Sequence, residues 1–239
     1  MKSHRTFETI CLRKKLIAPL MYELRLEKPA LFVFQPGQFV LFDVPLPDNA
    51  KDVQPRAYSI ASAPSEPDLL FIIKLVQNGR ASRWIEKTID VGAAIRMQGP
   101  FGAFVLDAVT PKPYLFIATG TGVAPFRSQI LWALEERRDA RPLHLLFGVL
   151  TREDLFWEDE WNRLAQEHPN FHAHLSFLNG DRNRHGESGS IQDRLPRIVQ
   201  TIPHPSVYIC GAPVTVREMK EQCLALGIPR TDIHCESYV

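Results

Sequence analysis

Ile117-Ala118-Thr119-Gly120-Thr121-Gly122-Val123-Ala124-Pro125 joins a short apolar strand to the start of a predicted helix. Gly120 and Gly122 let the backbone turn tightly and approach a ligand closely. The helix that follows offers free N–H groups and a positive dipole end to a pyrophosphate. Pro125 suits the first helical turn, where its missing N–H costs nothing. The third glycine of the dinucleotide fingerprint is absent, so a plain strand-to-helix turn remains the alternative interpretation.

Around this stretch, strands and helices alternate after the two-proline connector Thr110-Pro111-Lys112-Pro113. Apolar strands are expected at residues 114–118, 143–148, 171–177, 207–210 and 232–238. Helices are expected at residues 125–138, 158–168, 191–199 and 214–226, the third of them limited by Pro196. Alternation with apolar strands indicates a parallel sheet covered on both faces. Residues 110–239 are therefore predicted to form an α/β nucleotide-binding domain.

The residues before the connector follow a different pattern of short β-rich segments separated by turn signals. Strands are expected at residues 7–12, 21–26, 38–44, 56–61 and 69–76, and one helix at residues 82–88. Regularly spaced strands with proline and glycine between them are typical of a small antiparallel β-barrel or sandwich. The predicted fold is thus two domains, with an antiparallel β-barrel at residues 1–109.

Composition and charge narrow the class of protein. The 239 residues carry a formal net charge of +1, which argues against nucleic acid as the main partner. The four cysteines show neither iron–sulfur nor zinc spacing, so no metal site is expected and free thiols in a reducing cytoplasm are indicated. No signal peptide and no apolar run of membrane-spanning length is found.

Two further segments carry candidate site residues. Cys210-Gly211-Ala212-Pro213 follows the fourth predicted strand of the α/β half, at the sheet edge where ligands bind in such folds. Arg56-Ala57-Tyr58-Ser59 places a guanidinium beside an aromatic ring, which suits a phosphate and a flat ligand. Taken alone, the second segment also fits an edge strand with a solvated arginine, and Cys210 also fits a small buried apolar residue.

Six segments together resemble the ferredoxin–NADP reductase family over nearly the whole chain. Each stands in the order of the family's motifs: Pro36-Gly37-Gln38-Phe39, Arg56-Ala57-Tyr58-Ser59, Gly79-Arg80-Ala81-Ser82, Gly99-Pro100-Phe101-Gly102, Gly120-Thr121-Gly122-Val123-Ala124-Pro125 and Cys210-Gly211-Ala212-Pro213. The terminal Glu236-Ser237-Tyr238-Val239 resembles the family's E-x-aromatic tail, with one residue after the aromatic.

The resemblance implies roles for the matching residues. Arg56 would bind flavin phosphates, Tyr58 would stack on the isoalloxazine, and Ser59 would hydrogen-bond near N5. The expected cofactor contacts are Arg56, Tyr58, Ser59, Ile73, Gly79, Ala81, Ser82, Gly120, Thr121, Gly122, Pro125, Gly211 and Pro213. Ser59, Cys210, Glu236 and Tyr238 are the expected catalytic residues. Tyr238 would cover the flavin and yield to the nicotinamide; a plain surface tail is the alternative.

The implied activity is that of a flavoprotein reductase that passes hydride from NADH or NADPH to bound FAD. Because no iron–sulfur ligands are found, the expected acceptor is a separate ferredoxin, flavodoxin or oxygenase component. The alternatives are a free-flavin reductase, an electron-transfer subunit of a larger complex, and a non-catalytic sensor. NADH is favoured slightly, since Phe177 follows Ser176 where NADP-selective relatives carry arginine, although Arg152, Arg182 or Arg184 can supply a cation.

Overall fold

The structure is a computed structural model that describes residues 5–46, 49–179 and 189–238. The chain divides into two compact units. The first unit comprises Met1–Val105 together with Arg127–Trp132, and the second comprises Leu106–Phe126 together with Ala133–Val239. The expected boundary between residues 109 and 110 stays a prediction.

The first unit is a curled antiparallel sheet. Its strands are β1 (Arg5–Ala18), β2 (Met21–Glu27), β3 (Phe39–Leu46), β4 (Asn49–Ser59), β5 (Asp68–Lys74) and β6 (Ala94–Phe101). They lie in the order β4-β3-β6-β1-β2-β5. The Ala61 N–H donates to the Leu70 carbonyl at 2.8 Å, so the chain leaving β4 meets β5 and draws the two ends of the sheet together. The predicted antiparallel fold class is confirmed.

Strand β6 was missed by the sequence patterns, although it joins β1 to β3. Its inward positions Ile95 and Met97 are buried, whereas Arg96 between them is exposed. Two apolar positions between Gly92 and Gly99 make too short an alternation to separate a strand from a turn.

Helix α1 (Arg80–Lys87) covers part of this sheet. The Phe42 ring of β3 contacts three other aromatic rings, with centroid distances of 4.9 Å to Phe71, 5.0 Å to Tyr58 and 6.3 Å to Trp84 of α1. Aromatic pairs at such distances stabilise a core beyond the area that they bury. The core therefore holds α1 beside β3 and β4.

The second unit is a parallel sheet with helices, which confirms the α/β prediction. Its strands are β7 (Tyr114–Thr119), β8 (Leu143–Val149), β9 (Phe171–Phe177), β10 (Ser206–Gly211) and β11 (Ile233–Ser237), in the order β11-β10-β7-β8-β9. Helix α2 (Ala124–Leu131) begins in this unit and continues as a π-helical turn at Trp132–Glu136, but Arg127–Trp132 belong to the first unit. The other helices of the second unit are α3 (Glu158–Glu167), α4 (Ile191–Thr201) and α5 (Pro213–Ala225).

The sequence analysis expected Pro196 to limit α4, but the helix continues past it to Thr201. A proline inside a helix leaves the carbonyl four residues earlier without its usual donor. Here that carbonyl belongs to Gln192, and the Gln222 side-chain amide of α5 donates to it at 2.7 Å. The replacement partner lies 30 residues away in sequence, so local patterns cannot reveal it.

The start of the second unit is fixed by hydrogen bonds to Asp107. The Asp107 N–H donates to the Tyr208 hydroxyl at 2.7 Å, and the Tyr114 hydroxyl donates to the Asp107 carbonyl at 2.7 Å. Arg141 adds a bond to the same carbonyl at 3.1 Å and lies 4.3 Å from the Tyr114 ring centroid. Both tyrosines are buried in the core of the second unit.

A cluster of three histidines occupies one face of β8 and β9. His144 Nδ1 and His174 Nε2 are 3.3 Å apart, and their rings are parallel with centroids 5.6 Å apart. The distance between the ring centroids equals the N–N distance plus about one ring radius at each end. The two nitrogens therefore lie on the line between the centroids, and the lone pair of one points at the other. This is the geometry of an imidazole–imidazole hydrogen bond, which needs at least one neutral ring.

We expect the second unit to lose stability as the pH falls from about 6.5 to about 4. Burial, with neighbouring His172 and Arg194, lowers the pKa values of His144 and His174 to about 4. The unfolded chain, with ordinary histidine pKa values, binds more protons over that range, so acid favours unfolding. The expected loss is about 2 kcal/mol after allowance for partial exposure. The protection factors of the β8 and β9 amides, measured by hydrogen exchange at several pH values, give this loss of stability.

The matched control is H144Q/H174Q, which removes both titrating rings from the face. The protection factors of the same amides in this variant should depend much less on pH between 4 and 6.5. An equal pH dependence in both proteins would show that other groups cause the acid sensitivity.

Candidate functional site

Two glycine turns of the second unit touch at the carboxyl edge of the parallel sheet. A Cβ atom placed on Gly122 would lie 2.2 Å from the Cys210 carbonyl oxygen and 2.9 Å from the Gly211 Cα. A Cβ atom on Gly211 would lie 2.4 Å from Thr119 Oγ1, and Gly211 has φ +157°. Only glycine allows this approach, so the loops after β7 and β10 form one surface.

The first of these turns leads directly into α2. Gly120–Val123 form a short 3-10 turn, Gly120 has φ +52°, and a Cβ atom there would meet open space. Pro125 lies in the first turn of α2, as expected. Gly120 and Thr121 are partly exposed, whereas Gly122 is buried. The exposed main chain of Gly120 and Thr121 therefore borders free space at the amino end of a helix, the arrangement expected for a pyrophosphate.

The terminal tyrosine lies against the same surface. The Tyr238 N–H donates to the Gly211 carbonyl at 3.0 Å, and the Tyr238 hydroxyl donates to the Thr121 carbonyl at 3.4 Å. A hydrogen bond also joins its side chain to Cys210. Glu236 pairs with Cys210 across β10 and β11. Thr121, Cys210, Glu236 and Tyr238, predicted from separate motifs, are thus brought together.

The Cys210 thiol is unsuited to acid–base work. It is 1% exposed, and burial raises its pKa well above the ordinary range. A buried neutral thiol acts as a small apolar group. The Cys210 thiol therefore stays neutral, and its predicted place among the catalytic residues stays a prediction.

The Arg56–Ser59 segment forms the end of β4 in the first unit. Tyr58 packs on Phe42, and burial raises its pKa to about 12, so the phenol stays neutral. Ser59 is 7% exposed. Arg56 is partly exposed, and its guanidinium donates to the Pro55 carbonyl at 2.8 Å and to Gln54 Oε1 at 3.0 Å. These two bonds leave further guanidinium N–H donors for a phosphate.

Gly79 and Ser82 stand at the start of α1. Gly79 precedes the helix in an extended conformation, and the Ser82 hydroxyl oxygen accepts from the Val76 N–H at 2.7 Å. Because that oxygen accepts, its proton remains a donor for an anion. Ala81 lies between them in the first turn and is partly buried.

Arg80 ties the start of α1 to β4, a contact that the sequence analysis did not indicate. Its guanidinium donates to the Asp52 carbonyl at 2.8 Å and to Asp52 Oδ1 at 3.0 Å. Asp52 is on β4, so this pair holds α1 against the strand that carries Arg56 and Tyr58. The partners are 28 residues apart, and the sequence offers no local signal that joins them.

Ile73 and Pro213 are the remaining predicted cofactor contacts. Ile73 of β5 is 2% exposed and packs in the core, so any contact with a cofactor has to use its main chain. Pro213 is the first residue of α5 and is exposed, which places its ring at the same sheet edge as Gly211. Arg182 and Arg184 lie outside the described residues.

The two units fit the two expected cofactors separately. The first offers a guanidinium, an aromatic ring and a helix start with a free hydroxyl proton, which suits the phosphates and flat ring of FAD. The second offers two glycine turns in contact, with Gly120 beside them partly exposed at the start of a helix. Among the described residues no group of three or more His, Cys, Asp and Glu is arranged to hold a metal ion. Over those same ranges no helix has the length and apolarity to cross a membrane.

Comparison with known proteins assigns both units. Residues 18–106 match the oxidoreductase FAD-binding domain family, and residues 116–221 match the oxidoreductase NAD-binding domain family. Ferredoxin–NADP reductase B of Sorangium cellulosum (strain So ce56) is 34% identical over 242 residues, which covers 97% of each chain. The chain belongs to the ferredoxin–NADP reductase family. It is therefore an FAD-containing, NAD(P)-dependent oxidoreductase that passes electrons to a separate acceptor.

Other relatives of this reductase are longer than it is. The naphthalene 1,2-dioxygenase system ferredoxin–NAD(P)(+) reductase component of Pseudomonas putida is 30% identical, and the match covers 90% of this chain but 62% of that one. Among solved structures, a ferredoxin NADP+ reductase from Neisseria gonorrhoeae with bound FAD and NADP has a TM-score of 0.82 at 24% identity, covering 97% and 98% of the two chains. That likeness supports the fold of the reductase.

Proposed function

We propose that this reductase oxidises NADH in preference to NADPH and delivers the electrons to a ferredoxin or to an oxygenase component. The observation that carries the catalytic part is the contact between the Gly122 and Cys210–Gly211 turns, beside which Gly120 is partly exposed and open to a nicotinamide nucleotide. FAD supplies the redox chemistry, because it accepts two electrons at once and releases them singly.

The residues of the chain bind and orient the two cofactors in this proposal. Arg56 and the start of α1 hold the flavin phosphates, and the Tyr58 ring supports the flavin ring. The Ser59 hydroxyl donates near the flavin atom that receives the hydride. Thr121 and Tyr238 border the nicotinamide side, and the buried Cys210 thiol keeps water from that border. Glu236 lies beside Cys210 across the strand pair, at the same border.

The donor preference rests on charges after β8. The segment Thr151–Glu160 holds one arginine and five carboxylates, three of them in the first turn of α3. Arg152 is bound to Glu158 at 2.8 Å and lies 5.6 Å from the ring of Phe177, which is itself buried. A 2′-phosphate at this edge would meet a cation that is already paired and an excess of negative charge. A ribose 2′-hydroxyl meets no such repulsion.

We expect E158Q to improve the use of NADPH. The change removes a carboxylate that pairs with Arg152 and so lowers the negative charge that a 2′-phosphate would meet. The expected result is a rise of about 5–10-fold in kcat/KM for NADPH with little change for NADH, since one exposed charge is worth about 1 kcal/mol. Steady-state kinetics with both nucleotides measure it.

The matched control is E167Q, which removes a carboxylate from the far end of the same helix, where it pairs with Arg163. This variant should leave the NADH/NADPH ratio unchanged. A wild-type enzyme that already prefers NADPH would contradict the proposed donor.

The acceptor proposal is supported by the distribution of charge. Lys and Arg outnumber Asp and Glu in the first 105 residues, and the balance reverses in the rest of the chain. An excess of positive charge on the flavin-binding unit favours association with an acidic electron carrier. The relatives named above are ferredoxin reductases, which agrees with such a partner.

The deciding experiment is an anaerobic absorbance titration of the purified protein, first with NADH or NADPH and then with oxidised ferredoxin. Bleaching of the flavin bands followed by their recovery on addition of ferredoxin supports the full proposal. Recovery with free flavin but not with ferredoxin would favour a flavin reductase. Flavin that stays oxidised with both nucleotides would favour a sensor or a subunit that lacks its partner.

The free cysteines support a cytoplasmic location in the same proposal.

A further inference from the structure

The turn that follows Ser59 is closed by its own hydrogen bonds. The Ile60 N–H donates to the Gln38 carbonyl at 2.9 Å, and the Glu66 carboxylate accepts from the Ala63 N–H at 2.7 Å. Ile60, Ala61 and Ser62 are all fully buried. A buried turn with paired main-chain groups has little freedom to move, so it fixes the strand end that carries Ser59.

A buried arginine completes this turn. Arg127, 4% exposed, donates to the Ala61 carbonyl at 2.9 Å and makes a two-pronged pair with Glu66 at 2.7 and 3.2 Å. Residues 127–132 belong to the first unit. The guanidinium thus binds the main chain two residues after Ser59 and the carboxylate that closes the turn.

The pair is costly to bury and therefore sensitive to change. Arg127 is buried, whereas Glu66 is partly exposed. Removing Glu66 takes the bidentate partner from the buried guanidinium, and removing Arg127 takes a hydrogen bond from the Ala61 carbonyl. Neighbouring Arg25 lies 3.9 Å from Glu66 and 4.0 Å from Glu23, so Glu66 keeps a nearby cation when Arg127 is replaced. Lys28 binds the Pro64 and Glu66 carbonyls. The Ala61 carbonyl accepts from Arg127.

We propose that Arg127 and Glu66 are positioning residues, which set where Ser59 and Tyr58 stand against the flavin and so set the rate at which it is reduced. The inference rests on the proposed role of Arg56–Ser59 and extends it to a pair that no motif of the sequence indicated. Neither side chain touches the reacting atoms in this scheme. They act through the main chain at Ala61, where a shift of about 1 Å alters the reaction geometry strongly.

The test compares R127Q, R127K and E66Q with the wild-type holoenzyme. Stopped-flow reduction at saturating NADH is expected to slow about 10–100-fold in R127Q and E66Q, with the nucleotide Kd within about 3-fold of wild type. R127K, which keeps the charge and one hydrogen bond, should lie between. The visible circular dichroism of the oxidised flavin should change in the same order, because the ring sits differently on its support.

R25Q is the matched control, since it removes a cation near Glu66 without touching the Ala61 carbonyl. Its reduction rate and flavin dichroism should equal those of the wild type. Variants with lower stability but a wild-type rate per bound FAD and an unchanged dichroism would overturn the proposal. If R127Q does not fold, R127K and E66Q decide by the same two readouts. If NADH does not bleach the flavin of the wild-type protein, the proposed function is refuted. The flavin dichroism of the variants would still test the role of the Arg127–Glu66 pair.

Discussion

Replacing Gly122 with alanine is expected to abolish reduction of the flavin by NADH while the flavin stays bound. The new Cβ would lie 2.2 Å from the Cys210 carbonyl oxygen and 2.6 Å from its carbon, and both are main-chain atoms that cannot turn aside. The loops after β7 and β10 would have to separate, which removes the surface proposed for the nucleotide. A loss of about 100-fold or more in kcat/KM is expected, since 1 Å of misplacement alone costs about that much.

The measurement is a stopped-flow titration with NADH beside a visible spectrum that counts bound FAD. G227A is the control in the same unit, because Gly227 also has a positive φ, at +84°, but a Cβ there meets nothing within 4 Å. It should cost about 1 kcal/mol of stability and no activity. Normal turnover by G122A would mean that the nucleotide binds elsewhere.

Replacing Ser59 with alanine is expected to slow flavin reduction about 100–1,000-fold without loss of FAD. The hydroxyl is nearly buried at the end of β4, and loss of one preorganised donor from such a place typically costs that much in rate. The affinity for FAD should change little, because Arg56 and the start of α1 carry the phosphates. The readout is the reduction rate per bound flavin at saturating NADH.

S59T should recover most of the rate, because it returns the hydroxyl and because threonine also fits the family's R-x-Y-[ST] signature. S65A controls for the removal of a hydroxyl from the turn that follows Ser59, where Ser65 is exposed. A wild-type rate in S59A would remove Ser59 from the catalytic residues and leave it a packing role.

The sequence best predicted those parts of the candidate site whose geometry depends on residues adjacent in the chain. The strand-glycine-helix stretch at Ile117–Pro125 needs only local turn geometry and helix polarity, and the structure has that form. The resemblance then joined this stretch to the distant Cys210–Pro213 and Tyr238 segments. The contacts of Gly122 and Tyr238 supply the distances that no pattern contains.

What the sequence did not show depends on contacts between distant residues. Arg127 is indistinguishable from a surface arginine until the fold sets it against Glu66, 61 residues away. Arg80 was quoted in a motif for its neighbours, yet its own guanidinium binds Asp52. Pro196 was expected to limit α4 because the Gln222 amide that replaces its lost hydrogen bond belongs to another helix.

The hydrogen bonds around Asp107 have a practical consequence for dissecting the reductase. Two buried phenols, Tyr114 and Tyr208, use the main chain of Asp107 as their partner. A fragment cut at residue 110 would remove the hydrogen bonds that both phenols make to Asp107, which disfavours their burial in an apolar interior. The shortest nucleotide-binding piece that keeps them paired starts at Leu106, so a fragment meant for crystallisation or nucleotide soaking should begin there.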